Sequence, residues 1–204
     1  RDPVFRALLA GAAIAPGARV LDIGCGQALL ASLLAACDEQ ADRWPRAWGA
    51  PPTGTRYCGI ELMPRDVARA ERALAALPAP PRLLCGDMRH AAFEPCDVAV
   101  ILDVLHYVDG AAQDGLLARV RQALTPRGRL LLRVGDPSQR LRFAMGRRVD
   151  HVVTLMRGHR APPVWCRTID EWCAALRQLG FVVRAEPMSR GTPFANVLLV
   201  CNLP

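Results

Sequence analysis

The stretch Arg19-Val-Leu-Asp22-Ile-Gly24-Cys25-Gly26-Gln-Ala28 decides how this chain is read. Val20, Leu21 and Ile23 form a short apolar run of the kind that suits a parallel strand covered on both faces. Two glycines follow at once, and then a leucine- and alanine-rich helix begins. Gly24 and Gly26 remove side chains where a ligand must approach the backbone closely, and the helix aims its unpaired N–H groups at the same point. A glycine pair after a strand is also, more simply, a tight turn, so the remaining chain has to decide between turn and cradle.

Three further runs bear on that choice. Tyr57-Cys-Gly-Ile60-Glu61 ends in a carboxylate, which at the tip of a second strand can accept hydrogen bonds from both hydroxyls of a ribose. Leu83-Leu84-Cys85-Gly86-Asp87-Met88 ends a third run in an acid, and Val98-Ala-Val-Ile-Leu-Asp103 is a fourth. Helical patterns alternate with them. Val67, Ala70, Leu74 and Leu77 mark one apolar face after Pro64, and Leu116, Leu117, Val120 and Leu124 mark another. Phe181 to Glu186 and Ala195 to Cys201 read as two strands joined by a short loop, so they can pair antiparallel. The fold expected is α/β: a doubly wound, Rossmann-like, seven-stranded sheet, mostly parallel with a C-terminal antiparallel hairpin, helices on both faces and a ligand at the carboxyl ends of the strands.

Through Asp22-Ile-Gly-Cys-Gly26, Glu61, Gly86-Asp87-Met88, Leu102-Asp103 and Leu124-Thr-Pro-Arg-Gly128 the chain resembles the class I S-adenosylmethionine-dependent methyltransferases, over nearly its whole length and in the right order. The resemblance implies S-adenosylmethionine as cofactor, with Asp22, Gly24, Cys25 and Gly26 along its methionine portion and Glu61 on the ribose. It implies Leu62 or Met63 beside the adenine, Asp87 and Met88 at its edge, and Asp103 near the amino-acid end. Ala28 departs from the pattern, since many members carry a third glycine there. A nicotinamide-dependent dehydrogenase competes, but the third glycine of its fingerprint would fall at Leu29, and Glu61 lies much further on than the roughly 20 residues expected.

A length of 204 residues suits one domain, 1–204, with a single substantial core. No apolar run approaches the ~18 residues of a membrane span, and the opening residues do not read as a secretory signal. The eight cysteines show no metal-type pairing and mostly sit in apolar runs, so they read as reduced core residues of a cytoplasmic protein, with no metal site.

The net charge of +7 is unevenly spread. Arg127 to Arg160 holds nine arginines against two aspartates, a surplus of seven that equals the whole net charge. The segment 137–167 reads as a basic helical lid after the fifth strand, Arg129 to Val134, with Leu141, Met145, Val149, Val152 and Met156 at helical spacing. Arg147, Arg148, His151 and Trp165 of this lid, with Arg133 of the strand before it, are the candidate substrate residues, facing a carboxylate, a phosphate or an acidic carrier protein. A solvated basic surface helix is the plainer reading of the same pattern.

Asp103-Val-Leu-His106-Tyr107 resembles the small-molecule members of the family, many of which carry Leu-His-His or similar there. His106 and Tyr107 are the candidate catalytic pair, able to orient or deprotonate an acceptor oxygen. The alternative is that His106 caps a turn while Tyr107 packs. No aromatic-interleaved basic stripe appears, which argues against nucleic acid as partner. The ending Glu186 to Val200, with the arginine-rich lid, looks like methyltransferases of bacterial aryl polyene and fatty-acid-like pathways, implying an aromatic acyl acceptor, small or carrier-bound. The rival class is a degenerate cofactor-binding subunit without activity. Trp44 and Trp48, in a Pro-rich insert, are expected at the face opposite the cofactor.

Overall fold

The computed structural model describes residues 2–10, 13–138, 165–192 and 194–204. Its strands are β1 (Arg19–Ile23), β2 (Arg56–Glu61), β3 (Arg82–Cys85), β4 (Cys96–Leu102), β5 (Leu124–Gly135), β6 (Val182–Pro187) and β7 (Asn196–Asn202). They form one seven-stranded sheet in the order β3-β2-β1-β4-β5-β7-β6. Neighbours from β3 through β5 pair in parallel, and β7 runs antiparallel to both β5 and β6. The strand order reverses between β1 and β4, and the carboxyl-end crevice of such a switch point is where doubly wound folds take their ligands.

The helices are α1 (Pro3–Leu9), α2 (Leu29–Glu39), α3 (Pro64–Leu74), α4 (Gly110–Ala123) and α5 (Ile169–Gln178). The two-residue period of a strand divides the core into two layers. On β4, Val98 and Val100 face the layer that holds Leu8, Leu30, Leu34 and Leu74, whereas Ala99 and Ile101 face Leu116, Leu117, Val120 and Trp172. Burying both faces is what makes the β1 and β4 sequences nearly continuous apolar runs.

Local signals explain the helix boundaries. Pro64 occupies the first turn of α3, where its missing N–H costs nothing. Thr168 and Glu171 cap each other's backbone at the start of α5. One boundary differs from expectation: Leu124 belongs to β5 and not to the α4 face, because its backbone pairs with Cys96 while its side chain still enters the same core layer. β5 is correspondingly longer than the expected Arg129 to Val134.

Trp44 and Trp48 meet edge to face at 5.4 Å, and the Arg6 guanidinium of α1 lies 5.4 Å from the Trp48 ring. All eight cysteines are free thiols. Among the described residues no helix is long and apolar enough to cross a membrane. The expected lid helix, with Arg147, Arg148 and His151, lies outside the described residues.

Candidate functional site

At the carboxyl end of β1 the chain turns through Gly24 and Gly26, both at positive φ (+76° and +57°), which glycine adopts without steric cost. The Gly24 and Cys25 N–H groups both donate to the Ile60 carbonyl, at 2.8 and 3.1 Å, and so fasten the turn to the end of β2. Glu61 completes the attachment. One of its carboxylate oxygens accepts from Gly26 N–H at 2.9 Å and the other from Met63 N–H at 2.9 Å.

The two glycines answer different needs. A Cβ on Gly24 would come within 2.5 Å of a Val104 methyl, whereas a Cβ on Gly26 would meet nothing within 4 Å. Gly24 is therefore required by the protein's own packing, a demand that the reading of it as space cleared for a ligand did not include. Gly26 borders the open ledge. Ala28 takes the third-glycine position in a left-handed conformation, φ +56° and ψ 43°, and α2 starts there without a side-chain cap. Cys25, expected along the cofactor, turns its thiol inward, where a Cβ on Gly59 would lie 2.7 Å from its sulfur. Burial pushes that thiol far above its usual range.

Asp22 sits beneath the turn, 4% exposed, and accepts from the Tyr57 hydroxyl at 2.6 Å. Burial raises its carboxyl to about 7, with Glu61 adding to the rise and the Tyr57 hydrogen bond opposing it. Asp22 is thus part of the floor, with one of its oxygens engaged by Tyr57.

On the β2–β3 side, Leu62 is 58% exposed at the mouth, with Met63 half-buried beside it. Asp87 accepts from both the backbone N–H and the guanidinium of Arg89, which holds its carboxyl below the usual range. Met88 packs against the core. Arg119 of α4 grips this loop from behind: its guanidinium donates to the carbonyls of Met88 (3.0 Å), Arg89 (2.7 Å) and Ala91, and lies 4.3 Å from the Phe93 ring.

The β4–β5 side carries Asp103, Arg133 and the His106–Tyr107 turn. Asp103 has φ +56°, and its Oδ2 accepts from Nε of Arg133 at 2.8 Å and from the same guanidinium's Nη2. Asp2, which also caps α1, accepts from Arg133 Nη1 at 2.6 Å through both oxygens. Desolvation raises the Asp103 carboxyl, and Arg133 opposes the rise. Burial works to lower the Arg133 guanidinium, but Asp103 and Asp2 outweigh it, so its pKa rises. Arg133, expected among the substrate-facing arginines, is instead 8% exposed and enclosed by these two carboxylates. The short 3-10 turn Leu105–Tyr107 follows, with the His106 and Tyr107 rings 4.1 Å apart and tilted by 54°. Trp165 is brought alongside: its N–H donates to the His106 carbonyl at 2.9 Å, and its side chain is half exposed.

Sequence reading did not find Tyr57, Val104, Arg119, Gln113 or Asp2. Each is bound to its site by contacts far along the chain. Among them only the Arg133 partners left a signal, a charge within the otherwise apolar Leu130-Leu-Leu-Arg-Val134, which demands a buried counter-ion.

The ledge over Gly26, the uncapped start of α2 and the Glu61 carboxylate fit a group with an adjacent pair of hydroxyls and a polar amino-acid end, as S-adenosylmethionine has. A family model described as a methyltransferase domain matches residues 2–186. Among curated proteins, none matches the chain in sequence. Of solved structures, it is similar to a possible exported protein from Bordetella parapertussis, at 24% identity and TM-score 0.68, over 98% of this chain and 66% of that one. It is similar to the mitomycin 7-O-methyltransferase MmcR at 25% identity and TM-score 0.64, over 91% of this chain and 49% of that one. Magnesium protoporphyrin IX methyltransferase ChlM from Synechocystis PCC 6803, with bound SAH, shares the fold at 17% identity and TM-score 0.63, over 93% and 75% of the two chains. The chain thus spans just under two thirds of the first relative's length and about half of the second's. With the family match running through nearly all of the glycine turn, sheet and helices described above, this chain belongs to the class I S-adenosylmethionine-dependent methyltransferases.

Proposed function

We propose that the chain, as one domain over 1–204, transfers a methyl group from S-adenosylmethionine to a small or carrier-bound acceptor, a hydroxyaryl or carboxylate-bearing acyl group. The observation that carries the reading is Glu61, fixed by two backbone N–H groups beside the open ledge at Gly26. A carboxylate has about four acceptor positions, so two remain for the hydroxyls of a ribose.

Leu62 and Met63 then flank the adenine, Asp87 and Met88 border its edge, and Gly26 with the backbone of Asp22 to Cys25 follows the methionine portion. Asp103 lies toward the amino-acid end, and Arg133 acts by holding Asp103 in place. The bound cofactor supplies a methyl group already activated on a sulfonium. The protein's work is therefore mainly to position the acceptor and exclude water. A carboxylate or phenolate acceptor needs only that; for a neutral phenol, His106 takes the hydroxyl proton while Tyr107 orients the oxygen. Trp165, half exposed beside this pair, offers an apolar wall to an aromatic acyl group. The free cysteines favour a reducing, cytoplasmic setting.

The test is to incubate the full chain with S-adenosylmethionine and a panel of hydroxyaryl thioesters and to read the products by mass for one added methyl. His106→Ala and Tyr107→Phe should keep their affinity for S-adenosylhomocysteine while at least one lowers turnover by about 10²-fold. Unchanged turnover in both variants moves the chemistry elsewhere.

The charge surplus between Arg127 and Arg160 favours delivery on an acidic carrier, docked through Arg147, Arg148 and His151. R147E/R148E should then raise KM for a carrier-bound thioester and spare the free thioester, and added salt should mimic the substitution. If both thioesters suffer equally, the arginines clamp the acceptor's own anion.

A further inference from the structure

Gln113 is a fully buried polar side chain that none of the roles above employs. It stands on the first turn of α4, and its Nε2 donates to three backbone carbonyls: Leu105 at 3.1 Å, Val108 at 3.1 Å and Trp165 at 3.0 Å. The first two bracket the turn that carries His106 and Tyr107; the third belongs to the residue where the described chain resumes before α5. Trp165 N–H donates back to the His106 carbonyl at 2.9 Å. The Trp165 backbone is thereby tied to the His106–Tyr107 turn on both of its polar groups.

The chemistry of the amide argues for geometry over stability. Two N–H hydrogens serve three carbonyls, so one must be shared, and the buried Oε1 has no hydrogen-bond partner among the described residues. A half-satisfied buried amide is a poor stabiliser compared with a leucine or methionine of similar volume. What it does supply is a fixed distance between the His106–Tyr107 turn and the Trp165 segment, the latter 52 residues along the chain from Gln113. Arg167 reinforces the junction, donating to Asp114 at 2.6 Å and to the Gly110 carbonyl at 2.9 Å.

We propose that Gln113 is a positioning residue that joins the His106–Tyr107 turn and the Trp165 segment into one unit, so that the acceptor's wall and the groups that orient it move together. This rests on the acceptor-side reading of His106, Tyr107 and Trp165 given above.

The test uses the full chain labelled with 5-fluorotryptophan, whose four fluorine resonances report Trp44, Trp48, Trp165 and Trp172 separately. Loss of one signal in Trp165→Phe assigns that residue. In Gln113→Met the Trp165 resonance should shift and narrow toward that of a freely tumbling indole, the other three should stay in place, and affinity for S-adenosylhomocysteine should remain within twofold of wild type. Gln113→Glu is a second variant in case the first does not fold. Its protonated carboxyl can still donate, whereas its ionised form faces three carbonyls with no donor. The Trp165 resonance should therefore keep its wild-type position at low pH and leave it at high pH. An unmoved Trp165 resonance in the folded variants overturns the proposal. So does movement of all four resonances, or a loss of S-adenosylhomocysteine affinity matching the Trp165 change. A wild type that binds no S-adenosylhomocysteine would instead sink the functional reading and leave the coupling of Gln113 to Trp165 to be judged by the resonances alone.

Discussion

Gly24 lies so close to Val104 that a Cβ at the glycine would sit 2.5 Å from one valine methyl and 2.8 Å from the other. Contact between the β1 turn and the residue after Asp103 closes the floor of the crevice at its switch point. Gly24→Ala should cost about 1–2 kcal/mol for the left-handed backbone and about 1–3 kcal/mol for overpacking. Only the second part should be relieved by Val104→Ala. A double-mutant cycle in urea is expected to show a favourable coupling of about 1–3 kcal/mol, and a cycle that is simply additive would contradict the contact.

Gly26 predicts the opposite balance. With nothing within 4 Å of a Cβ there, Gly26→Ala should cost only the backbone term, about 1–2 kcal/mol, and the larger penalty should appear in cofactor affinity. Urea melts and calorimetry on the two alanine variants separate these effects. Gly24→Ala should be the less stable protein and Gly26→Ala the weaker binder for its stability.

Asp22 predicts a pH dependence. Its carboxyl is raised from 3.8 to about 7 by burial, so the folded protein holds that proton more tightly than the unfolded chain. The group's contribution to stability is fully present below the unfolded value and is lost as pH rises through the folded one. Asp22→Asn removes the buried charge and keeps an acceptor for the Tyr57 hydroxyl. Its thermal advantage over wild type should therefore open between about pH 4 and pH 7 and stay constant above. An offset that does not change with pH would show that Asp22 is not perturbed.

Arg119 predicts a local effect on the loop after β3. Arg119→Met removes the donors to the Met88, Arg89 and Ala91 carbonyls while retaining a long apolar side chain against Phe93. Hydrogen exchange should accelerate at residues 87–93 and not elsewhere. If the binding-competent loop falls to about a tenth of the population, affinity for S-adenosylhomocysteine falls about tenfold. Unchanged exchange in that loop would assign Arg119 to the surface.

The parts of the fold that were legible in sequence are those set by local chemistry. Apolar runs ending in glycine or an acid locate β1 to β4, Thr168 three residues before Glu171 is the capping-box pattern that opens α5, and the short loop between Glu186 and Ala195 allows the closing hairpin. What stayed hidden depends on register and on distant partners. Tyr57 looked like the apolar start of a strand, yet the parallel register of β1 on β2 brings its hydroxyl to Asp22, 35 residues away. Gln113 and Arg119 are not among the apolar residues Leu116, Leu117 and Val120 that mark a face of α4, and nothing in a helical period says that a polar side chain will fold back onto carbonyls of neighbouring loops. Arg133 reads in the sequence as a substrate-facing arginine, and its counter-ions Asp103 and Asp2, the latter 131 residues distant, are what enclose it instead.

The ribose contact of Glu61 is tested by calorimetric titration of S-adenosylhomocysteine into wild type and Glu61→Ala. Glu61 is held between the Gly26 and Met63 N–H groups, and a charged acceptor lost from two ribose hydroxyls should cost about 2–3 kcal/mol, a weakening of roughly 30- to 150-fold. The wild type should bind at a single site, and Glu61→Ala should show that weakening with its circular dichroism unchanged. Equal affinity in the two proteins, or no binding by the wild type, would contradict the ribose contact.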